Sequence, residues 1–262
     1  MIYDVIIIGL GASGVSASIY AKRSGLNVCV INYGVPGGII STSNIVENYP
    51  GIKSISGSDF AFNLFEHFNS LNIPLYNEEV INIKNGDVKT VITTNNEYKA
   101  MKIIICSGRK PKKLGIKNED KYMGRGISYC ATCDGNLYKN KKVCVVGGGN
   151  SALESAIYLS NICETVYIIV RKDKFIGSES LVKDVLNKEN VIVKFNSVIE
   201  EIIGNDVVES IKIKDEEIKL SGIFINIGYE PSIGILKGLN LKMDNNYIVV
   251  DKNMETSIKG IY

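Results

Sequence analysis

A short apolar run, a glycine-rich turn and a helical segment follow one another twice in this chain. The first copy has a run at 3–8, a turn from Gly9 to Gly14 and a predicted helix over 15–23. The second has a run at 143–146, a turn from Gly147 to Ala152 and another predicted helix. A further apolar run follows each copy, so both have the spacing of a βαβ unit. The repeat therefore predicts an α/β fold with two similar Rossmann-like domains, each a three-layer ββα arrangement.

Turns of this composition bind the pyrophosphate of a dinucleotide. The first glycine allows a tight turn, the second lets the backbone approach the phosphates, and the third lets the helix pack closely on the strand. The helix N-terminus then offers free N–H groups and the positive end of the helix dipole. The candidate contacts are Gly9, Gly11, Ala12, Ser13 and Gly14 in the first copy, and Gly147, Gly149, Asn150, Ser151 and Ala152 in the second.

The residues after the second strand of each copy bear on the ribose of each nucleotide. Asn32 stands where an acid usually binds a ribose hydroxyl, and an amide can still form that hydrogen bond. In the second copy Val170 supplies no carboxylate, whereas Arg171 and Lys172 suit a 2′-phosphate. This favours NADP over NAD at the second site, the alternative being that the charged run is only a solvated turn.

The segments outside the two copies read as β-structure. Polar and apolar residues alternate from 80 to 106 and are interrupted by Asn85-Gly86, a strong hairpin signal. Four further strands are predicted after the second copy, at 191–195, 198–203, 207–214 and 223–227. Each dinucleotide unit is thus expected to carry its own β meander.

Two proline-bearing joints flank the second unit. They run from Gly108 to Pro111 and from Gly228 to Pro231. Proline favours extended backbone and glycine adds freedom, so the joints predict a hinge by which the second domain is inserted into the first; ordinary loops are the alternative. The predicted ranges are 1–110 for the first part of one domain, 111–230 for the inserted domain, and 231–262 for the second part of the first domain.

Composition narrows the class of protein. A chain of 262 residues, 45% hydrophobic and 22% charged, is long enough for two cores, and is not a disulfide scaffold or a disordered chain. Its formal charge is +2, and the one tight basic cluster, 109–113, is too short to follow a nucleic-acid backbone. No apolar run approaches the ~20 residues of a membrane helix, and Asp4 stands where a signal peptide has cations. We expect a soluble, cytoplasmic protein with no nucleic-acid or membrane partner.

Two of the six cysteines stand out as the pair Cys130-Ala-Thr-Cys133, followed by Asp134. Zinc is disfavoured because a structural site needs four ligands, and the chain has no second such pair and one histidine. A structural disulfide is disfavoured in the cytosol. The remaining interpretation is a redox dithiol, with Asp134 either moving protons or serving as a turn or cap residue. The other four are predicted to be packing residues: Cys29, Cys106, Cys144 and Cys163.

Taken together, the two nucleotide turns, the dithiol just before the second one and the proline joints resemble low-molecular-weight thioredoxin reductases. The resemblance covers essentially the whole chain, and its further marks are Gly37-Gly38, the segment 46–51, Cys106-Ser-Gly108, and Gly124-Arg-Gly126. It implies FAD in the first unit and NADPH in the second. The further FAD contacts that it implies are Gly37, Gly38, Ile39, Asn48 and Gly108.

The resemblance also implies a reaction and its residues. Electrons would pass from NADPH through FAD to the Cys130–Cys133 disulfide and then to the disulfide of thioredoxin. Cys133 would lie against the flavin, Cys130 would attack thioredoxin, and Asp134 would be the acid. Members of the family are usually homodimers.

This chain departs from the family pattern in three places. The family's His-Arg-Arg-x-x-x-Arg run stands here as 170–176, with Val170 and Ile176 at its ends, so NADH or reduced ferredoxin stay open as donors. Ile39 stands where a glutamine is usual. The family's second FAD segment, an Ala-x-Gly-Asp run, is expected directly after Tyr262, and we expect poor flavin retention if the chain ends there.

Two other functions fit the same residues. A dithiol oxidase of this architecture would pass electrons from a small dithiol to oxygen and would need no nicotinamide. A nucleotide-binding redox sensor would use Cys130 and Cys133 to switch a partner interaction without turnover.

Overall fold

The computed structural model describes residues 1–43, 45–236 and 238–262. The chain forms two compact units, of which the first comprises 1–110 and 230–262 and the second comprises 111–229. The second unit is therefore inserted into the sequence of the first. Within the described residues, no helix is both long enough and apolar enough to cross a membrane.

The first unit opens with a six-stranded sheet and two helices. In chain order these are β1 (Ile2–Ile8), α1 (Ala12–Arg23), β2 (Val28–Asn32), α2 (Gly57–Ser70), β3 (Leu75–Asn77), β4 (Val80–Lys84), β5 (Lys89–Thr93) and β6 (Glu97–Ile105). The strands lie in the order β3-β2-β1-β6-β5-β4. β1 is parallel to β2 and β6, whereas β4, β5 and β6 form an antiparallel meander.

β1 is the centre of this sheet because its side chains are buried on both faces. Ile7 packs with Val15 of α1 and Phe68 of α2 on one face. Ile6 packs on the other face, with Ile103 of β6, and both isoleucines are fully buried. Burial of each such side chain stabilises the fold by roughly 1.5–3 kcal/mol. This packing fixes the carboxyl end of β1, where the first glycine turn begins.

The chain continues through β7 (Arg109–Pro111) into the second unit. Its elements are β8 (Ile127–Ser128), α3 (Ala131–Asp134), β9 (Lys142–Val146), α4 (Asn150–Ser160), β10 (Thr165–Ile169), α5 (Glu179–Leu186), β11 (Val191–Lys194), β12 (Glu201–Ile203), β13 (Ser210–Ile213), β14 (Glu216–Lys219) and β15 (Gly222–Ile225). Five strands form a parallel sheet in the order β11-β10-β9-β15-β8. β12, β13 and β14 form a separate antiparallel sheet.

The last segment belongs to the first unit again. It contains β16 (Tyr229–Pro231), β17 (Met243–Asp244) and β18 (Tyr247–Ile248), and β16 pairs with β7. Gly108 and Gly228, just before β7 and β16, have φ of +65° and +98°, a region that favours glycine. The segment adds Leu236, Leu239 and Ile261 to the core on one face of the first sheet.

The predicted α/β fold with two Rossmann-like domains is confirmed, as is the meander over 80–106. Two predicted strands begin too early, because the ladder pairs only 201–203 and 210–213 of the expected 198–203 and 207–214. α5 and β14 were not predicted. β14 buries a single side chain, Ile218, so its sequence shows no alternation that could reveal a strand.

Candidate functional site

The first glycine turn joins β1 to α1 and is tightly packed on one side. Gly9 has φ of +99°, and a Cβ at Gly14 would lie 2.0 Å from the Gly9 carbonyl oxygen. At Gly11 the surroundings are open, because a Cβ there would find its closest neighbour, the Gly37 carbonyl oxygen, at 3.7 Å. Gly11 immediately precedes α1, whose first turn carries no acidic residue. The backbone N–H groups at this end can therefore receive an anion.

Other predicted FAD contacts lie directly beside this turn. The Leu10 N–H donates to Asn32 Oδ1 at 3.0 Å, and the Asn32 amide donates to the Gly34 carbonyl. The Gly37 N–H donates to the Leu10 carbonyl at 2.8 Å. Asn32 thus holds the turn in shape, which is a role that its sequence position did not reveal.

Two adjacent glycines complete the edge of this site. Gly37 and Gly38 have φ of +106° and +67°, and Gly37 is buried against Ala61, which a Cβ would approach to 2.5 Å. Ile39 follows in a short 3-10 helix and is half-buried. The cradle around Gly11 fits a pyrophosphate, so the residues present suit FAD in the first unit.

The remaining FAD candidates lie further along the chain. Asn48 is exposed in a loop closed by a backbone pair between Val46 and Ile55. Gly108 follows β6, and a Cβ there would have open space around it. Ser13, at the start of α1, hydrogen-bonds the Cys106 thiol, whose pKa is raised by burial.

The second glycine turn lines a cavity of about 600 Å³ in the second unit. Six of the predicted residues lie along it: Gly147, Gly149, Asn150, Ser151, Arg171 and Lys172. Ala152 is different, because it is fully buried beneath the turn. A Cβ at Gly147 would lie 3.0 Å from the Ala152 Cβ, so Ala152 packs the helix against the turn.

The cavity carries positive charge. Among the described residues that line it, four are cations and none is acidic; the cations are Lys112, Arg171, Lys172 and Lys174. Arg171 and Lys172 directly follow Val170, after the carboxyl end of β10, where the adenosine ribose of a dinucleotide lies in this fold. Lys112 and Lys174 were not among the predicted contacts, and only the fold brings Lys112 to this cavity.

Cys130 and Cys133 form a disulfide at the start of α3. The Cys133 N–H donates to Cys130 Sγ at 3.1 Å, so Cys130 caps the short helix. Cys133 is exposed and Cys130 is half-buried. The pair is therefore reachable by another molecule.

Asp134 is held by a serine that the sequence did not single out. Ser128 Oγ donates to Asp134 Oδ2 at 2.7 Å and accepts the Cys130 N–H at 3.0 Å. Ser128 ends β8 and is 5% exposed. The signal that could have found it is a small polar residue at the end of a buried strand, two positions before Cys130.

The other cysteines are held as neutral thiols by burial. Burial raises the pKa of Cys29 to about 12 and that of Cys163 to about 11, and it also raises the pKa of Cys144. Thiolate is the nucleophilic form, so these three are inert near neutral pH. Burial also raises the pKa of Cys106, so Cys130 and Cys133 are left as the redox candidates.

Comparison with known proteins shows which family the chain resembles. The family model described as pyridine nucleotide-disulphide oxidoreductase matches residues 3–262. The chain is 37% identical over 271 residues to the thioredoxin reductase of Mycoplasma genitalium, covering 100% of this chain and 86% of that protein. Two solved structures are similar, each covering 99% of this chain and 88% of the other: Lactococcus lactis thioredoxin reductase (FR conformation), 35% identical with a TM-score of 0.90, and T. acidophilum thioredoxin reductase, 37% identical with a TM-score of 0.88.

Proposed function

Since the chain belongs to the pyridine nucleotide-disulphide oxidoreductase family and is one of its thioredoxin reductases, we propose that it reduces the disulfide of thioredoxin with electrons from NADPH. The electrons pass by way of FAD and the Cys130–Cys133 disulfide. The observation that carries the proposal is this disulfide, which is reachable, backed by Asp134, and part of the unit that holds the second nucleotide cavity.

Residues of the first unit would hold FAD. The open backbone at Gly11 and the α1 N-terminus suit its pyrophosphate, and Gly37 and Gly38 border the same space. When bound, FAD supplies the two-electron relay between the nicotinamide and the disulfide. Ile39, Asn48 and Gly108 are further contacts in this proposal.

The dithiol performs the exchange with thioredoxin. Two electrons and two protons convert the Cys130–Cys133 disulfide into two thiols. The Cys130 thiolate then attacks one sulfur of the thioredoxin disulfide, breaking that bond and forming a mixed disulfide. Cys133 attacks the Cys130 sulfur, restores the internal disulfide and releases thioredoxin as a dithiol. Asp134, the residue after Cys133, gives a proton to the departing thiolate.

NADPH is the proposed donor because of the charge in the second cavity. Arg171, Lys172 and Lys174 suit the 2′-phosphate that distinguishes NADPH from NADH, and the lining residues described offer no carboxylate for a free 2′-hydroxyl. Val170 and Ile176 supply no charge there, so NADH and reduced ferredoxin are the donors to compare. The proposal includes a homodimer and a location in the cytoplasm, a compartment in which free thiols stay reduced.

Flavin reduction tests the proposal. Purified protein loaded with FAD is mixed without oxygen with NADPH, NADH or reduced ferredoxin, and the loss of flavin absorbance is followed. We expect fast bleaching by NADPH and, with thioredoxin added, steady turnover. A variant with Cys130→Ser and Cys133→Ser should bleach but not turn over thioredoxin. No bleaching by any donor would refute the reductase assignment, and peroxide formation from a dithiol alone would favour the oxidase.

A further inference from the structure

Asn226 stands at the edge of the second nucleotide cavity, directly after β15. Its backbone N–H donates to the Val146 carbonyl at 2.8 Å. Its own carbonyl abuts the glycine turn so closely that a Cβ at Gly147 would lie 2.3 Å from that oxygen. The backbone of Asn226 is thus fixed at the point where the turn begins.

The side-chain oxygen of Asn226, in contrast, has no partner among residues 1–43, 45–236 and 238–262. This Oδ1 atom is buried without a hydrogen bond, while the residue as a whole is half-buried. A buried amide oxygen without a partner destabilises a fold, so in a native protein it calls for an explanation such as a ligand or a bound water. The amide carries both a donor and an acceptor, and rotation about its last bond can turn either end to a ligand.

Sheet topology indicates which part of a dinucleotide reaches this residue. From β9 the chain moves outward through β10 to β11, and the sheet's other half begins with β15 on the opposite side of β9. The crevice for a ligand is at that reversal, between β9 and β15. Arg171, after β10, and Asn226, after β15, therefore lie on opposite sides of the phosphate-binding turn, roughly 10 Å apart by the spacing of two strands.

A dinucleotide laid across this edge has its pyrophosphate at the turn and one nucleoside on each side. With the 2′-phosphate at Arg171 and Lys172, the nicotinamide half must extend toward β15. We propose that the Asn226 amide hydrogen-bonds the nicotinamide half of the donor, through its carboxamide or its ribose hydroxyls, and so positions that half. This inference rests on the proposed use of a pyridine nucleotide.

Binding measurements on the whole chain separate the two halves of the ligand. NADP⁺ carries both halves, whereas 2′,5′-ADP carries only the adenosine half with its phosphates. Affinities are measured by calorimetry for the wild type and for Asn226→Leu, which keeps the branched shape and the number of heavy atoms and removes the amide. We expect Asn226→Leu to weaken NADP⁺ binding roughly tenfold, the size of one or two hydrogen bonds, and to change 2′,5′-ADP binding less than twofold.

Two further variants test whether the loss of NADP⁺ affinity is specific to Asn226. Asn205→Leu changes an exposed asparagine of the same unit and should leave both affinities unchanged. Arg171→Ala should weaken both ligands. An Asn226→Leu protein that binds NADP⁺ as well as the wild type would overturn the inference, as would an equal loss for both ligands. A wild type that binds neither ligand would instead refute the proposed function.

A nicotinamide analogue identifies the bonded atom. In 3-acetylpyridine adenine dinucleotide phosphate the carboxamide NH₂ is replaced by a methyl group. If Asn226 Oδ1 accepts the carboxamide N–H, the wild type loses about as much affinity for this analogue as Asn226→Leu loses for NADP⁺, and the variant loses nothing more. Losses that multiply assign the bond to the ribose or to the carboxamide oxygen, which the analogue retains. Both results support the inference, provided that the tenfold difference with NADP⁺ is seen.

Discussion

Ser128 Oγ lies 2.7 Å from the carboxylate of Asp134 and donates a hydrogen bond to it. The same hydroxyl oxygen accepts the N–H of Cys130 at 3.0 Å. One buried side chain therefore ties the proposed proton donor to the first cysteine of the disulfide. The bond sets the direction of the half-buried Asp134 carboxyl at the end of α3.

Removal of this hydroxyl should slow the dithiol chemistry. Because a hydrogen bond to a charged group contributes about 1.5–3 kcal/mol, Ser128→Ala should lower the rate of thioredoxin reduction roughly tenfold. Flavin bleaching by the donor should stay unchanged, since it precedes the exchange with thioredoxin. Stopped-flow and steady-state kinetics measure the two steps separately.

The matched variants for this prediction are Ser128→Thr and Ser160→Ala. Threonine keeps the hydroxyl and should restore most of the rate. Within the described residues, the Ser160 hydroxyl bonds only its own helix, donating to the Ile157 carbonyl, so its loss should have no effect on exchange. Equal slowing of bleaching and exchange in Ser128→Ala would show that the serine acts on the fold and not on Asp134.

Cysteine labelling should separate the redox pair from the buried thiols. After reduction, iodoacetamide at pH 8 should modify Cys130 and Cys133 quickly. Cys29 should resist, because with a pKa of about 12 only about one thiol in ten thousand is ionised at pH 8. Its labelling should rise about tenfold with each pH unit up to that pKa. Mass spectrometry of digested protein gives the rate at each site.

Denatured protein is the control for labelling, since all six cysteines should then react at similar rates. Without prior reduction, Cys130 and Cys133 should be protected by their disulfide. Rapid labelling of Cys29 in the folded protein would contradict its burial. Rapid labelling of Cys130 before reduction would contradict the disulfide.

The parts of the site that the sequence could predict are those encoded within a few residues. A glycine turn between a strand and a helix, as at Gly11, requires special backbone conformations or close approaches, so its residue types reveal it. The Cys130–Cys133 spacing reveals the dithiol in the same way. These short motifs also predicted both Rossmann-like units, because each marks the start of one.

The parts that could not be predicted depend on residues brought together by the fold. Lys112 reaches the nucleotide cavity although it lies 59 positions before Arg171 in the chain. Asn32 is a second example. Its position in the sequence indicated a ribose contact, and only the structure shows that its Oδ1 accepts the Leu10 N–H. Neither pairing leaves a local pattern, because neither depends on neighbours in sequence.

Donor preference should depend on the cations of the second cavity. Arg171→Ala and Lys172→Ala should each raise KM for NADPH about tenfold and change KM for NADH less than twofold, because only NADPH carries the 2′-phosphate. Salt should weaken NADPH binding more than NADH binding in the wild type. Steady-state kinetics with both donors measure these changes in KM, and alanine at Lys183, an exposed residue of α5, is the control. Equal changes for the two donors would place these residues away from the 2′-phosphate.

Gly11 and Gly14 stand three residues apart in one turn, yet alanine should affect different properties at the two positions. At Gly14 it should lower stability, and at Gly11 it should lower FAD affinity. At Gly14 the new Cβ would lie 2.0 Å from the Gly9 carbonyl oxygen, so Gly14→Ala should destabilise the first unit by several kcal/mol. At Gly11 the closest atom is 3.7 Å away, so Gly11→Ala should keep its melting temperature within about 3 °C of the wild type. The methyl group then occupies the space in which the pyrophosphate would approach the backbone, and FAD affinity should fall at least tenfold. Thermal melts without added flavin and fluorescence titration with FAD measure the two effects, and a Gly11→Ala protein that binds FAD normally would place the pyrophosphate elsewhere.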